Sequence, residues 1–572
     1  MKPRSFLLVC VLSLLIHPSI SGAQWAADGN ALCTATGTQS YGGVISDGAG
    51  GAIVVWADNR SGNSDIYAQR VNGWGVVQWT ADGVGVRVGT SAQANPVIAP
   101  DGGGGAIIFF THLANNGSRD IYAQHINPSG VKQWATDGVL ICGAQNEQHT
   151  MQQAVSDGAD GAIVAWLDNR DGDFSTADLY ARRINSSGVA QWTTDGVAIC
   201  TAANAQSFPV LVGDGAGGAI IAWPDFRDGL TYSVYARRVD SAGVAQWTAD
   251  GVLLGTNTSS EAQLLAITTD GAGGAIVTWQ TNIISPFSTD VYAQRINASG
   301  SLLWTPGGVV VGGADNHQTQ QGIVSDGAGG AIIAWMDDRE GIAQWDDIYA
   351  QRVNASGVAQ WTPNGVALCT ADEWQIQPDL VSDGAHGAIV CWYDKRNAPP
   401  GNNDVYARRI TAAGAALWAT DGVPVSLAAS TQFRPTIVTD GFGGAIAVWD
   451  DYRNGGTADI YANRVTLGGV VPTAVGDTPA MPSIAVSNYP NPFSTATVIE
   501  ITMDREAHVS VDVFDVAGRR VRAMNVGRVG AGARLITFDS RDERGKSLPS
   551  GLYFYRVRAG DATVTRKMVI QR

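Results

Sequence analysis

The sequence predicts an all-β fold assembled from a repeated four-stranded unit, and three observations carry that prediction. One unit recurs every 54 to 57 residues through most of the 572-residue chain. Glycine is abundant, at 70 residues, while charged residues make up only 16%, against about 25% in an ordinary soluble domain. The central run of each unit is apolar at nearly every position, Thr278 of the fifth being the exception, which suits a strand covered on both faces.

Self-similarity at a fixed period marks a repeat architecture. The anchors are Asp-Gly pairs starting at Asp47, Asp101, Asp157, Asp214, Asp270, Asp326, Asp383 and Asp440. A glycine-rich turn follows each pair, then an apolar run ending in an aromatic, such as Trp56 or Phe110. A polar loop leads to a Tyr-Ala step, as at Tyr67, and a short turn leads to a closing Trp, as at Trp79. In the first unit these features place strand a near Val44–Ser46, strand b over Ala52–Trp56 and strand c over Ile66–Val71. Strand d is predicted over Val76–Trp79 and its continuation. Glycine in Asp47–Gly51 supplies the positive φ that a tight a–b turn needs.

Sheets apolar on both faces must be sandwiched between others, and radial stacking of blades does this. Propellers hold about four to eight such blades. The ends of the repeat fit a closed ring. Seven closing Trp follow a Tyr-Ala step, but the eighth unit ends at Val465-Thr466-Leu467 without one. The missing piece stands at the other end, as Trp25-Ala26-Ala27-Asp28-Gly29. The predicted fold is thus an eight-bladed β-propeller over residues 24–470, closed by its N-terminal strand. Segments such as Tyr349-Ala350 through Gly357 to Trp361 resemble the repeat of quinoprotein-like propellers. The resemblance implies blade-to-blade Trp packing. It carries over no quinone, because that family's vicinal cysteine pair is absent.

Both termini speak of export. Lys2 and Arg4 precede an apolar run from Phe6 to Ile16, and Ser21-Gly22-Ala23 offers small residues for cleavage. Residues 1–23 therefore read as a signal peptide, and no later run is long enough for a membrane span. Residues 471–487 form a Pro/Ala/Thr linker. Beyond it come Tyr489-Pro490-Asn491-Pro492-Phe493, Val513-Phe514-Asp515-Val516-Ala517-Gly518-Arg519, Ser550-Gly551-Leu552-Tyr553-Phe554-Tyr555 and Lys567-Met568-Val569. Between and around them, strands are predicted over 497–502, 508–514, 534–538, 552–557 and 562–568. These motifs resemble the type IX secretion sorting domain and the related immunoglobulin-like domain of flagellar hook-cap proteins. The resemblance implies a small immunoglobulin-like β-sandwich over 488–572, export across the outer membrane and contact with the secretion machinery, with cleavage and surface attachment among the outcomes.

The net charge of −15, with no basic cluster, argues against nucleic acid as a partner. Cys33, Cys142, Cys200, Cys369 and Cys391 remain after the signal, four of them eight residues after a repeat Trp. Equivalent positions of different repeats rarely come within the roughly 7 Å that a disulfide needs, so they read as small buried hydrophobes.

Two constellations fall on the face of the b–c loops and d–a connections, the expected binding face. The first comprises the loop carboxylates Asp58 with Asp65, Asp168 with Asp178, and Asp337 with Asp347. Oxygen ligands across a hairpin suit Ca²⁺, and equally suit pairing with the Arg between them. The second stands eight residues before each Asp-Gly pair: Gln39, Gln93, His149, Gln206, Gln318, Gln375 and Gln432, with Ala262 in the fifth repeat. With strand a innermost these would ring the channel mouth. Their amides could recognise sugar hydroxyls or bond backbone groups between blades. The second and fifth repeats depart from the Asp loop, with Thr111-His112-Leu113 and Thr281-Asn282-Ile283. No cofactor is implied, and no nucleophile elbow, phosphate loop or zinc motif appears. The expectation is an exported, surface-held or released monomeric binding protein for polysaccharide or protein. A glycan-cleaving hydrolase and a purely structural surface component are the alternatives.

Overall fold

The computed structural model describes residues 25–571 apart from 114–116, 147, 150–152, 257–264, 284–287, 342–345, 398–401, 472–483, 504–506, 517–518, 531, 544 and 560–561. The predicted signal peptide, residues 1–23, lies outside the described residues.

The fold is all-β and propeller-like. Each repeat forms one antiparallel sheet whose strands follow chain order. In the first these are Gln39–Ser46 (a), Ala52–Asp58 (b), Asp65–Val71 (c) and Val84–Arg87 (d). The closing Trp does not belong to strand d, contrary to expectation. Val77 only bridges back to Val71, and strand d begins after a further turn.

Burial explains the apolar run. Ile53, Val54, Val55 and Trp56 have no exposed surface. Ala52, Val54 and Trp56 share a core with Ile446 and Val448 of the eighth repeat, while Ile53 and Val55 pack with Ile108 and Phe110 of the second. Each Asp-Gly turn is wired to its own sheet. Asp47 accepts the Ala49 and Gly51 N–H groups and pairs with Arg70 of strand c at 2.9 Å. Gly51 must be glycine, since a Cβ there would sit 2.1 Å from the Val71 carbonyl oxygen.

The closing Trp residues join sheet to sheet. Trp79 donates its indole N–H to Pro128 O of the next repeat, Trp304 to Ala355 O and Trp361 to Ala412 O. Trp25 makes the same bond to Gly73 O at 3.1 Å. Strand Asn30–Cys33 pairs with Asp459–Val465 and so joins the eighth sheet from the far end of the chain. The a strands touch in succession from the first repeat to the eighth, and the eighth touches the first.

The C-terminal region holds two antiparallel sheets around one core. One contains Ile484–Tyr489, Thr497–Met503 and Gly532–Phe538. The other contains Arg520–Val529, Ala507–Asp515, Gly551–Ala559 and Ala562–Ile570. Ile499, Val511, Tyr555 and Met568 form its centre. Two strands were not anticipated. Ile484–Tyr489 starts inside the expected linker, and Arg520–Val529 has too many charges to show an apolar alternation. Among the described residues no helix is long and apolar enough to cross a membrane.

Candidate functional site

A clasp recurs on the loop face. In six repeats the Asp ending strand b is held by the Arg two residues on: Asp58–Arg60, Asp168–Arg170, Asp225–Arg227, Asp337–Arg339, Asp394–Arg396 and Asp451–Arg453, at 2.5–2.7 Å. The local sequence Trp-x-Asp-x-Arg builds it. Asp58 accepts the indole N–H of Trp56 and the backbone N–H of Arg60, and the guanidinium lies 3.9 Å over the Tyr67 ring. Burial raises the Asp58 carboxyl, but bonds from Arg60 and Trp56 outweigh it and hold the group below its ordinary range.

This geometry supports pairing with Arg at Asp58, Asp168 and Asp337. Both oxygens of Asp58, Asp168 and Asp337 are taken by donors. Asp65 is held by Ser61 Oγ at 2.6 Å and Gly89 N at 3.0 Å. Asp178 is pushed up to about 6 and Asp347 to about 7, each by burial first and by neighbouring carboxylates second. Among the described residues no three metal-ligating side chains come together.

The glutamines are also not at the mouth. Gln39, Gln93, Gln206, Gln318, Gln375 and Gln432 are at most 1% exposed. Their amide nitrogens donate to carbonyls two to four residues earlier. Backbone N–H groups of Gln39, Gln93, Gln206, Gln375 and Gln432 bond carbonyls of the preceding sheet at 2.7–3.1 Å. The alternation of the strand turns them inward, where they bond backbone groups between blades. His149 is out of register as well. Gln148 stands opposite Asp168, as Gln39 stands opposite Asp58, and His149 stands opposite Leu167.

The exception is the second repeat, where the clasp is dismantled. Phe110 replaces the Trp and His112 the Asp, opposite Gln93 in the same register, and the Arg position is Ala114 in sequence. The neighbouring sheet changes too. Arg87 occupies the strand-d position that Cys33, Cys142, Cys200 and Cys369 hold elsewhere. The result is a cavity of about 380 Å³ lined by Arg87, Ser91, His112, Asp120, Tyr122 and Asp137, among others. Arg87 enters from the first sheet and pairs with Asp137 at 2.6 Å. The His112 ring meets Tyr122 edge-on at 5.5 Å, and its Nδ1 lies 3.3 Å from the Gln93 amide. Burial and then Arg87 lower the His112 pKa, while burial raises the Asp120 carboxyl. The fifth repeat also departs, but Thr281 accepts the Trp279 indole N–H at 3.0 Å. Unlike residues thus converge at one place on the loop face. The departure at His112 was visible in sequence, and so was Arg87, eight residues after Trp79 where four repeats have Cys. Their meeting across two sheets was not.

No curated protein matches the chain. Among solved structures, a polysaccharide lyase of the ulvan lyase type is similar at 9% identity, covering 68% of this chain and 97% of that one, with a TM-score of 0.42. The β-propeller domain of the trilobed protease of Pyrococcus furiosus is similar at 10% identity, covering 65% and 94%, with a TM-score of 0.37. A thermostable family-43 glycoside hydrolase is similar at 10% identity, covering 48% and 94%, with a TM-score of 0.27. Residues 487–571 match the secretion system C-terminal sorting domain, the tail of proteins exported by the type IX system to the cell surface or beyond.

Proposed function

We propose that this chain is an exported eight-bladed β-propeller, residues 24–470, that binds polysaccharide at the cell surface or after release. A short linker joins it to an immunoglobulin-like sorting sandwich that engages the secretion machinery. Eight sheets in a cycle of contacts, with the N-terminal strand in the last, support the closed ring. The observation that carries the binding role is the cavity between the first and second sheets. It replaces a repeated structural clasp with a different set of polar groups and an aromatic ring. An imidazole, a phenol, a hydroxyl, the Asp120 carboxyl and a compensated Arg–Asp pair offer donors and acceptors side by side, which suits sugar hydroxyls.

The test is glycan binding by the mature chain beside Arg87→Ala and His112→Phe variants. Wild-type binding lost in both variants, with thermal unfolding unchanged, is the expected result. A second reading, a glycan-cleaving hydrolase, draws on His112 and Asp120, which face each other across strands b and c with pKa values moved toward each other. Release of reducing ends from a bound glycan would establish it.

A further inference from the structure

Strand a carries a repeated distortion two residues beyond five of the buried glutamines. Asn95, Phe208, Gln320, Gln377 and Arg434 all have left-handed backbone, with φ between 35° and 53°. The strand-a register slips at this point in the first, second, sixth, seventh and eighth sheets. Four of the five residues precede proline: Pro96, Pro209, Pro378 and Pro435. A bulge re-aims a side chain, and here Asn95 and Arg434 reach solvent and Phe208, Gln320 and Gln377 are half-buried, while the glutamine before each stays buried. A non-glycine residue in this conformation carries a strain that glycine would relieve. Five repeats keep five side chains there, of four different kinds.

The bulges are contiguous on an arc of five sheets. Gly42 of the first lies so close to Pro96 of the second that a Cβ would sit 2.5 Å from its ring. Tyr41 N–H of the first bonds Asp450 of the eighth at 3.0 Å. Phe433 of the eighth meets Tyr393 of the seventh at 5.2 Å, and Gly322 of the sixth packs on Leu380 of the seventh. On the arc Arg434 is compensated, since it pairs with Asp450 at 2.6 Å.

We infer that this arc is a second binding surface, for an uncharged, hydroxyl-rich glycan chain that lies across the inner-strand ends from the sixth sheet to the second. The inference rests on the polysaccharide reading above and names the class of polysaccharide. The side-chain amides of Asn95 and Gln377 supply paired donors and acceptors, Gln320 adds its amide nitrogen while its Oε1 is buried, and Phe433 supplies an apolar face for a sugar ring. An acidic chain would have to displace Asp450 from Arg434.

The test exploits the strained backbone. Asn95→Gly, Gln320→Gly and Gln377→Gly remove the amide and suit the local φ, so folding is retained while the contact is lost. The full mature chain is titrated with neutral cello-, xylo- and manno-oligosaccharides and with alginate and a sulfated galactan. Each glycine variant is expected to unfold at the same or a higher temperature and to bind a neutral oligosaccharide about tenfold more weakly, the equivalent of a lost hydrogen bond of roughly 1.4 kcal/mol. Unchanged affinity in all three variants overturns the arc, and if Arg87→Ala then abolishes binding, the cavity alone is the site. Loss in the glycine variants with none in Arg87→Ala upholds the arc and overturns the cavity. Binding of the acidic chains alone, or of no glycan, overturns the inference.

Discussion

Replacing Arg396 by Ala isolates what the repeated clasp does. The Arg396 guanidinium bonds Asp394 Oδ1 at 2.9 Å and Oδ2 at 2.6 Å, bonds Asp421 O at 2.8 Å, and lies 4.1 Å over the Tyr406 ring. Asp394 itself has no exposed surface. Without the guanidinium its carboxylate keeps the Trp392 indole N–H, the backbone N–H of residue 396 and the Cys369 thiol at 3.9 Å. Breaking a buried pair on one side costs about 3–5 kcal/mol, because the remaining charge is stranded. The cation over Tyr406 adds about 0.5–1 kcal/mol. We therefore expect a loss of about 4 kcal/mol in urea unfolding at pH 7.5. The deficit should shrink at pH 5, because protonation discharges the stranded carboxylate. Arg519→Ala is the matched control. Arg519 also pairs with an Asp, but its side chain is 80% exposed, and such pairs are worth about 0–1 kcal/mol. If Arg396→Ala unfolds within 0.5 kcal/mol of Arg519→Ala, by the ~1 kcal/mol scale of exposed pairs, the clasp is not structural and the argument against a ligand role for these carboxylates fails.

Other consequences follow from the same geometry. Trp25 is 2% exposed and bonds across to the first repeat, so Trp25→Ala should cost about 3–5 kcal/mol and expose the eighth sheet to protease. Asp347 is raised by burial and by Glu340 to about 7, from about 3.9 in an unfolded chain. The native state then binds the extra proton, so this group lowers stability as pH rises from 4 through 7. Asp347→Asn should flatten that part of the stability–pH curve. Calcium and chelator should leave the melting temperature unmoved, because the loop carboxylates already have donors. Deleting residues 487–571 should keep the chain out of the medium and off the cell surface, as read by fractionation.

Periodicity made the architecture legible, and the limits of periodicity set what was missed. Strand b and the Asp-Gly turns recur with the same chemistry in every repeat, so burial on both faces could be read directly. The complementary deficit at Leu467 and Trp25 disclosed that the ends belong to one sheet. A linear pattern does not show which way a side chain points once a strand bulges. Gln39 and its equivalents were therefore placed at a mouth from which alternation turns them away. The Q-x-x-P pattern at Gln93–Pro96, Gln206–Pro209, Gln375–Pro378 and Gln432–Pro435 was present all along as a bulge signal. One inserted residue before Asp157 moved the glutamine position from His149 to Gln148, and only pairing with Asp168 revealed it.

By itself the sequence determined the all-β repeat, the joining of its ends and the sorting tail, because each rests on local chemistry repeated or ordered along one strand of text. Tertiary structure alone decided where a ligand could sit. The cavity needs Arg87 from one sheet and His112, Asp120 and Tyr122 from the next, and their convergence depends on sheets stacked side by side, a distance that no spacing along the chain encodes.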